Sequence, residues 1–244
     1  MIEGRTPFAS SIPPVTLNLL IINALFLLAS FVFIQTGLFP DFNQYLGLHY
    51  FKSEQFNALQ LISYMFVHAD ISHLFFNMFS LFMFGRTLEQ VWGAKRFLTY
   101  YLVTGIGAGL VQELVWWYQI SEFLSQEVIQ FNNLAFSQSL FASRQLEMFY
   151  NSYLTVGASG AVFGILLAFG MIFPNARMFL LFFPYPIKAK YLMIGYGVLE
   201  LFMGVSNFQG DNVAHFAHLG GMIFGYILIR LWKKQDFDNG RYFY

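Results

Sequence analysis

N-V-A-H-F-A-H-L-G-G-M-I-F-G, residues Asn212 to Gly225, decides how this chain is read. The stretch opens an apolar segment spanning about residues 212 to 232, with no Asp, Glu, Lys or Arg before Arg230. A hydrocarbon core about 30 Å thick is crossed by roughly 20 apolar residues in a helix, and this segment is long enough. Ionisable groups at hydrocarbon depth are costly and are functional candidates by default, which singles out His215 and His218. Gly221 and Gly225, four residues apart, give the same helix a small-residue face that lets a neighbouring backbone approach.

Working outward, comparable segments run from about 16 to 36, 59 to 84, 97 to 118, 153 to 173 and 190 to 206. The chain of 244 residues is 57% hydrophobic and 11% charged, against roughly 25% charged in soluble domains. The expected fold is therefore an all-α membrane protein, one bundle of six transmembrane helices over residues 15–232. Short cytoplasmic tails, 1–14 and 233–244, flank it. The segment 16–36 is longer than a signal-peptide core and no small-residue cleavage site clearly follows it, so it is expected to remain as a span. With both termini inside, only Lys52 and Arg144 of the 13 basic residues fall outside, a strong positive-inside asymmetry. There are no cysteines, which removes disulfides, thiolate metal sites and a cysteine nucleophile.

Two outer segments, about 38–58 and 119–151, exceed what a connector needs. The second carries Phe123, Leu124, Val128, Phe131, Leu134, Phe136, Leu140 and Phe141 among polar residues, the pattern of a helix lying in the interface plane. Trp92, Trp116, Trp117 and Trp232 fall near predicted span ends, as an aromatic belt would place them. No repeat relates the two halves, so the inverted-repeat pattern of secondary transporters is missing.

The polar residues inside the spans cluster. His73 and Asn77 stand at i and i+4 on one face of the second span, and Ser159 lies between Gly157 and Gly160 at the start of the fourth. If the fourth span starts near Tyr153 and the sixth near Asn212, Ser159 and His218 both sit about 9 Å below the outer boundary. Gly160 and Gly164 on one helix and Gly221 and Gly225 on the other would bring the two backbones together. A hydroxyl and an imidazole at equal depth make a nucleophile and general base, with no metal required. Asp211 is about 10 Å along the axis from His218, too far to orient it, and Glu200 in the fifth span has no assigned role, so a Ser–His dyad is expected. The Ser159 backbone N–H, the Asn77 amide and His73 are candidate donors to an oxyanion. His68 and Asp70 are read as braces of the outer loop, and Glu89 as a structural acceptor at the inner boundary.

In order along the chain, H-L-F-F-N (His73 to Asn77), G-R-T-L-E-Q-V-W-G (Gly85 to Gly93), G-A-S-G (Gly157 to Gly160) and A-H-L-G-G-M-I-F-G (Ala217 to Gly225) resemble the motifs of the rhomboid family of intramembrane serine proteases. The resemblance covers residues 15 to 232. It implies Ser159 as nucleophile, His218 as base, and His73 with Asn77 as oxyanion-hole side chains. It selects His218 over His215, because only His218 has glycine at +3 and +7; His215 is then a cavity-lining residue. It further implies an outward-facing water-filled cavity and substrates that are transmembrane proteins entering from the lipid. Where the family often carries Trp-Arg in the first outer loop, this chain has Leu59-Gln60.

The expected partners are therefore transmembrane substrates and the lipid bilayer, with no nucleic acid, metal or cofactor; the oligomeric state stays open. The cytoplasmic membrane of a prokaryote is the expected location. Two other readings compete: a catalytically inactive relative that binds membrane helices, and a channel or transporter. The latter would continue the polar residues to the inner face, whereas on these helices they stop after Asn77 and His218.

Overall fold

The computed structural model describes residues 12–37, 42–131, 140–180, 183–206 and 214–238. The first helix, α1 (Pro14–Thr36), begins with a proline, whose missing N–H costs nothing at that position. It ends at Gly37, whose φ of 64° lets its N–H reach the Phe33 carbonyl at 3.0 Å. Its buried residues are Thr16, Leu19, Asn23, Leu27 and Ser30, one stripe at helical spacing, whereas Leu25, Leu28 and Ile34 are 55–59% exposed. Three of these five buried residues are polar while large apolar side chains face outward, the reverse of a water-soluble helix. Hydrocarbon is the solvent that makes this arrangement favourable.

The inward stripe is anchored at its start. Glu89 accepts from the Val15 N–H at 2.9 Å and from the Thr16 N–H and hydroxyl at 2.7 Å each. A carboxylate at a helix N-terminus meets the unsatisfied amides and the positive end of the dipole. Glu89 is 2% exposed, so Glu89→Ala strands buried donors that each cost about 1–3 kcal/mol. The expected result is a thermal midpoint in detergent lowered by about 5 °C or more, with Glu89→Gln intermediate. An unchanged midpoint would remove the anchoring role.

After α2 (Phe42–Leu46), the outer loop forms a short strand, β1 (Leu48–His49), and a short helix, α3 (Gln60–Ser63), continued by a 3-10 turn at Tyr64–Phe66. Gln60, 4% exposed, holds this loop in shape. Its side chain accepts from the His49 and Asn57 amides and donates to the Tyr45 and Gln55 carbonyls. A continuous helix therefore does not run from residue 59, where the second span is expected to start. The chain becomes helical again at α4 (Ile71–Ser80), passes through a π-helical turn at Leu81–Gly85, and ends as α5 (Arg86–Trp92). Asp70 caps α4, its carboxylate accepting from the His73 amide at 2.8 Å and the Ser72 hydroxyl at 2.6 Å.

The next helix, α6 (Ala94–Phe131), is much longer than the expected third span, 97–118. Much of the outer segment 119–151 is thus the end of α6 together with α7 (Leu140–Asn151), and Phe123 of α6 stacks on Phe149 of α7 with centroids 5.3 Å apart. The side chains of Val128, Phe131, Leu134, Phe136, Leu140 and Phe141 lie outside the described residues. Trp116 is 7% exposed and packs edge-on against Tyr153. Trp92, the last residue of α5, meets Trp232 edge-to-face at 5.5 Å, with the Arg96 guanidinium 4.6 Å over Trp232 and paired to Asp236.

Strand β2 (Leu154–Thr155) pairs antiparallel with β1, joining the first outer loop to the chain that leads into α8 (Ser159–Ile172). A second hairpin, β3 (Arg177–Leu180) with β4 (Phe183–Lys188), connects α8 to α9 (Ala189–Ser206), and α10 (His215–Asp238) completes the described chain. These two small two-stranded sheets accompany a fold that is all-α, as expected. Among the described residues two helices, Pro14–Thr36 and Ala94–Ser125, are by themselves long and apolar enough to cross a membrane, and Ser159–Ile172 is a shorter apolar helix. The π turn divides the second segment, and Glu200 and Arg230 interrupt α9 and α10 with charge.

Small residues set the distance between α8, α10 and α6. A methyl group on Gly221 would collide with the backbone carbonyl of Gly160, so α8 and α10 touch main chain to main chain there. Gly164 and Gly225 face α6 instead. A Cβ on Gly164 would lie 2.7 Å from Thr104, one on Gly225 would meet the Tyr100 hydroxyl, and that hydroxyl donates to the Gly164 carbonyl at 2.8 Å.

Candidate active site

Ser159 is the first residue of α8, with the chain before it extended through β2. It is therefore not six residues inside a helix, as the depth count assumed. Gly157 makes the turn between strand and helix at φ 123°, a conformation that side-chain-bearing residues rarely adopt. A Cβ on Gly157 would also lie 2.6–2.7 Å from the His73 ring. Gly157→Ala thus meets backbone strain of about 1–3 kcal/mol and pushes His73 aside. The expected outcome is a protein that still folds but turns over at least tenfold more slowly; a turnover within twofold of the parent would show that this close approach is dispensable.

His218 lies one turn into α10. Its Nε2 is 2.8 Å from the Ser159 Oγ, and its Nδ1 is 2.9 Å from a carboxylate oxygen, Oε2, of Glu200 on α9. The carboxylate can only accept, so Nδ1 carries the proton and Nε2 presents a lone pair to the serine hydroxyl. Phe163, one turn after Ser159, lies flat on the imidazole with centroids 4.2 Å apart and planes 7° apart. Hydrogen bonds at both nitrogens and an aromatic ring on one face fix the base.

Beside the expected Ser–His pair the structure places a third group: Glu200, 7% exposed, accepts a hydrogen bond from His218 Nδ1. Asp211 lies outside the described residues. Glu200 accepts a second hydrogen bond on the same oxygen, from His215 Nδ1 at 2.7 Å. The sequence could have offered a hint. Glu200 stands six residues before the end of α9 and His218 three after the start of α10, about 9 and 5 Å from the connection between them. Phe163 left no comparable signal, since an aromatic residue in a span is usually packing.

The two other expected residues sit on α4. His73 is half-buried and reaches Gly157, two residues before Ser159. Asn77 is 5% exposed, and one of its amide hydrogens is used on the His73 carbonyl at 3.0 Å, leaving one to donate elsewhere. His68, 1% exposed, packs edge-on against the His73 ring at 5.0 Å and sets its orientation.

A serine, an oriented histidine and a carboxylate in line are a hydrolytic arrangement found on unrelated folds. Family membership rests on the comparison with known proteins: the Rhomboid domain family model matches residues 55–235. The chain belongs to the rhomboid family.

This rhomboid is 30% identical over 210 residues to RHOMBOID-like protein 12, mitochondrial, of Arabidopsis thaliana, covering 85% of this chain and 55% of that one. It is 26% identical to Rhomboid-like protein 11, chloroplastic, of the same plant, covering 78% and 61%. To Rhomboid protease AarA of Providencia stuartii it is 28% identical, covering 67% and 52%. The chain thus spans little more than half the length of these curated relatives. As a rhomboid it is an integral membrane protein of a family typified by intramembrane serine proteases.

Proposed function

We propose that this rhomboid is an intramembrane serine endopeptidase that cleaves peptide bonds in or near transmembrane segments of other membrane proteins. The observation that carries the reading is the line Ser159 Oγ, His218 imidazole, Glu200 carboxylate, with separations of 2.8 and 2.9 Å. Ser159 attacks the scissile carbonyl carbon while His218 Nε2 takes its proton. The tetrahedral oxyanion is held by the Ser159 backbone N–H, the Asn77 amide and His73. The C–N bond then breaks as His218 gives the proton to the leaving amine, and a water activated by the same nitrogen hydrolyses the acyl-enzyme. Glu200 keeps the proton on Nδ1 and stabilises the imidazolium in between. A peptide within a regular helix hides its carbonyl in backbone bonds, so substrates with locally unwound segments are preferred.

Six spans with both termini on the cytoplasmic side complete the reading, on the strength of the charge asymmetry and the lipid-facing leucines. A prokaryotic cytoplasmic membrane stays the expected location, with bacterial, mitochondrial and chloroplastic proteins all among the relatives. A catalytically inactive membrane-helix binder is the second reading, and the oriented imidazole speaks against it.

A fluorophosphonate probe tests the activated hydroxyl directly. Labelling should map to Ser159, vanish in Ser159→Ala and fall at least tenfold in His218→Ala. Equal labelling of Ser159 in His218→Ala would show that the imidazole does not activate it.

A further inference from the structure

The geometry points to a binding site for one divalent transition-metal cation of the zinc class, formed by Glu200, His215 and His218, whose occupation switches the protease off. The switch rests on the proposed Ser159–His218 chemistry; the binding does not.

His215 and His218 are three residues apart on one face of α10, and each points its Nδ1 at the same oxygen of Glu200, at 2.7 and 2.9 Å. The three donor atoms all lie within 4.8 Å of one another. Two imidazoles and a carboxylate are a recurrent zinc ligand set, with metal–donor distances of about 2.0–2.2 Å. In such a shell neighbouring donors stand about 3.3 Å apart, so the two nitrogen–oxygen pairs would open by about half an ångström and the two nitrogens would close by up to about 1.5 Å to admit the ion. Orienting His218 needs one acceptor and no second histidine, yet His215 makes the shorter of the two contacts. The side chains also keep 9–11% of their surface exposed, so the donors are not sealed in the interior.

Binding puts the metal on both Nδ1 atoms, and each neutral imidazole then carries its one proton on Nε2 instead. For His218 that is the nitrogen 2.8 Å from Ser159 Oγ. That nitrogen now donates to the serine and has no lone pair to accept its proton, so acylation stops. Removing the metal restores the resting hydrogen bonds.

Two measurements on the full chain decide the matter. In Ser159→Ala, cobalt(II) chloride should bind at one equivalent, seen by its visible d–d absorption and displaced by zinc, and at least tenfold more weakly when His215→Ala is added. His49, His68 and His73 remain in both variants, so the loss reports this cluster. Absence of saturable binding, or equal affinity with and without His215, overturns the site. For proteolysis, zinc chloride should slow the wild type at least tenfold with recovery in EDTA, and His215→Ala should need at least tenfold more zinc relative to its own metal-free rate. Cobalt bound at the cluster with proteolysis undiminished by zinc overturns the switch. A wild type that cleaves nothing in EDTA sinks the protease reading, while the cobalt titration still decides the site.

Discussion

Ser159→Ala reduces cleavage of a transmembrane substrate in reconstituted vesicles to background, a loss on the order of 10³-fold or more, and His218→Ala does the same. Both follow from the 2.8 Å contact between the hydroxyl and the imidazole. A serine hydroxyl is a weak nucleophile at its free pKa, and the imidazole makes it reactive only while bonded to it. Members of such a unit are strongly non-additive, so the double variant should be no slower than either single one. Unchanged cleavage in either variant would remove the proposed site. Failure of the wild type to cleave, combined with tight retention of the substrate, would favour the binder.

The second large effect is at Glu200. Glu200→Gln is nearly isosteric, so the helices should pack as before, but an amide can turn its NH₂ toward His218 and favour the tautomer with the proton on Nε2. The base then faces Ser159 with the wrong nitrogen state. The expected loss in kcat is on the order of 10²- to 10⁴-fold, with KM little changed because the carboxylate touches no substrate. Glu200→Asp keeps the charge on a shorter arm and should recover part of the rate. A Glu200→Gln enzyme within threefold of the parent kcat would reduce Glu200 to a packing residue.

The depth of Ser159 shows what the sequence could and could not disclose. Residue type and spacing marked Ser159, His218, His73 and Asn77 because polar groups in hydrocarbon are expensive, and that argument needs no coordinates. Where α8 begins was hidden, because it depends on the turn at Gly157 and on pairing between residues 48–49 and 154–155, far apart in the chain. Glu200 was visible as an acid in a span, but the side of α9 it occupies depends on how α9 rolls against α10, which apolar periodicity leaves undetermined when both faces are apolar. The overlong α6 escaped for a related reason: hydropathy detects where the bilayer ends, and a helix can continue past it.

The bond between the start of α1 and Glu89 has a consequence for biosynthesis. Thr16 precedes Glu89 by 73 residues, so a ribosome making the chain delivers the first helix to the membrane well before its acceptor exists. During that interval the amides of Val15 and Thr16 must be hydrated at the membrane surface. α1 can therefore insert early but settles into its final place only once the second helix has followed it, which makes its docking a late event of assembly.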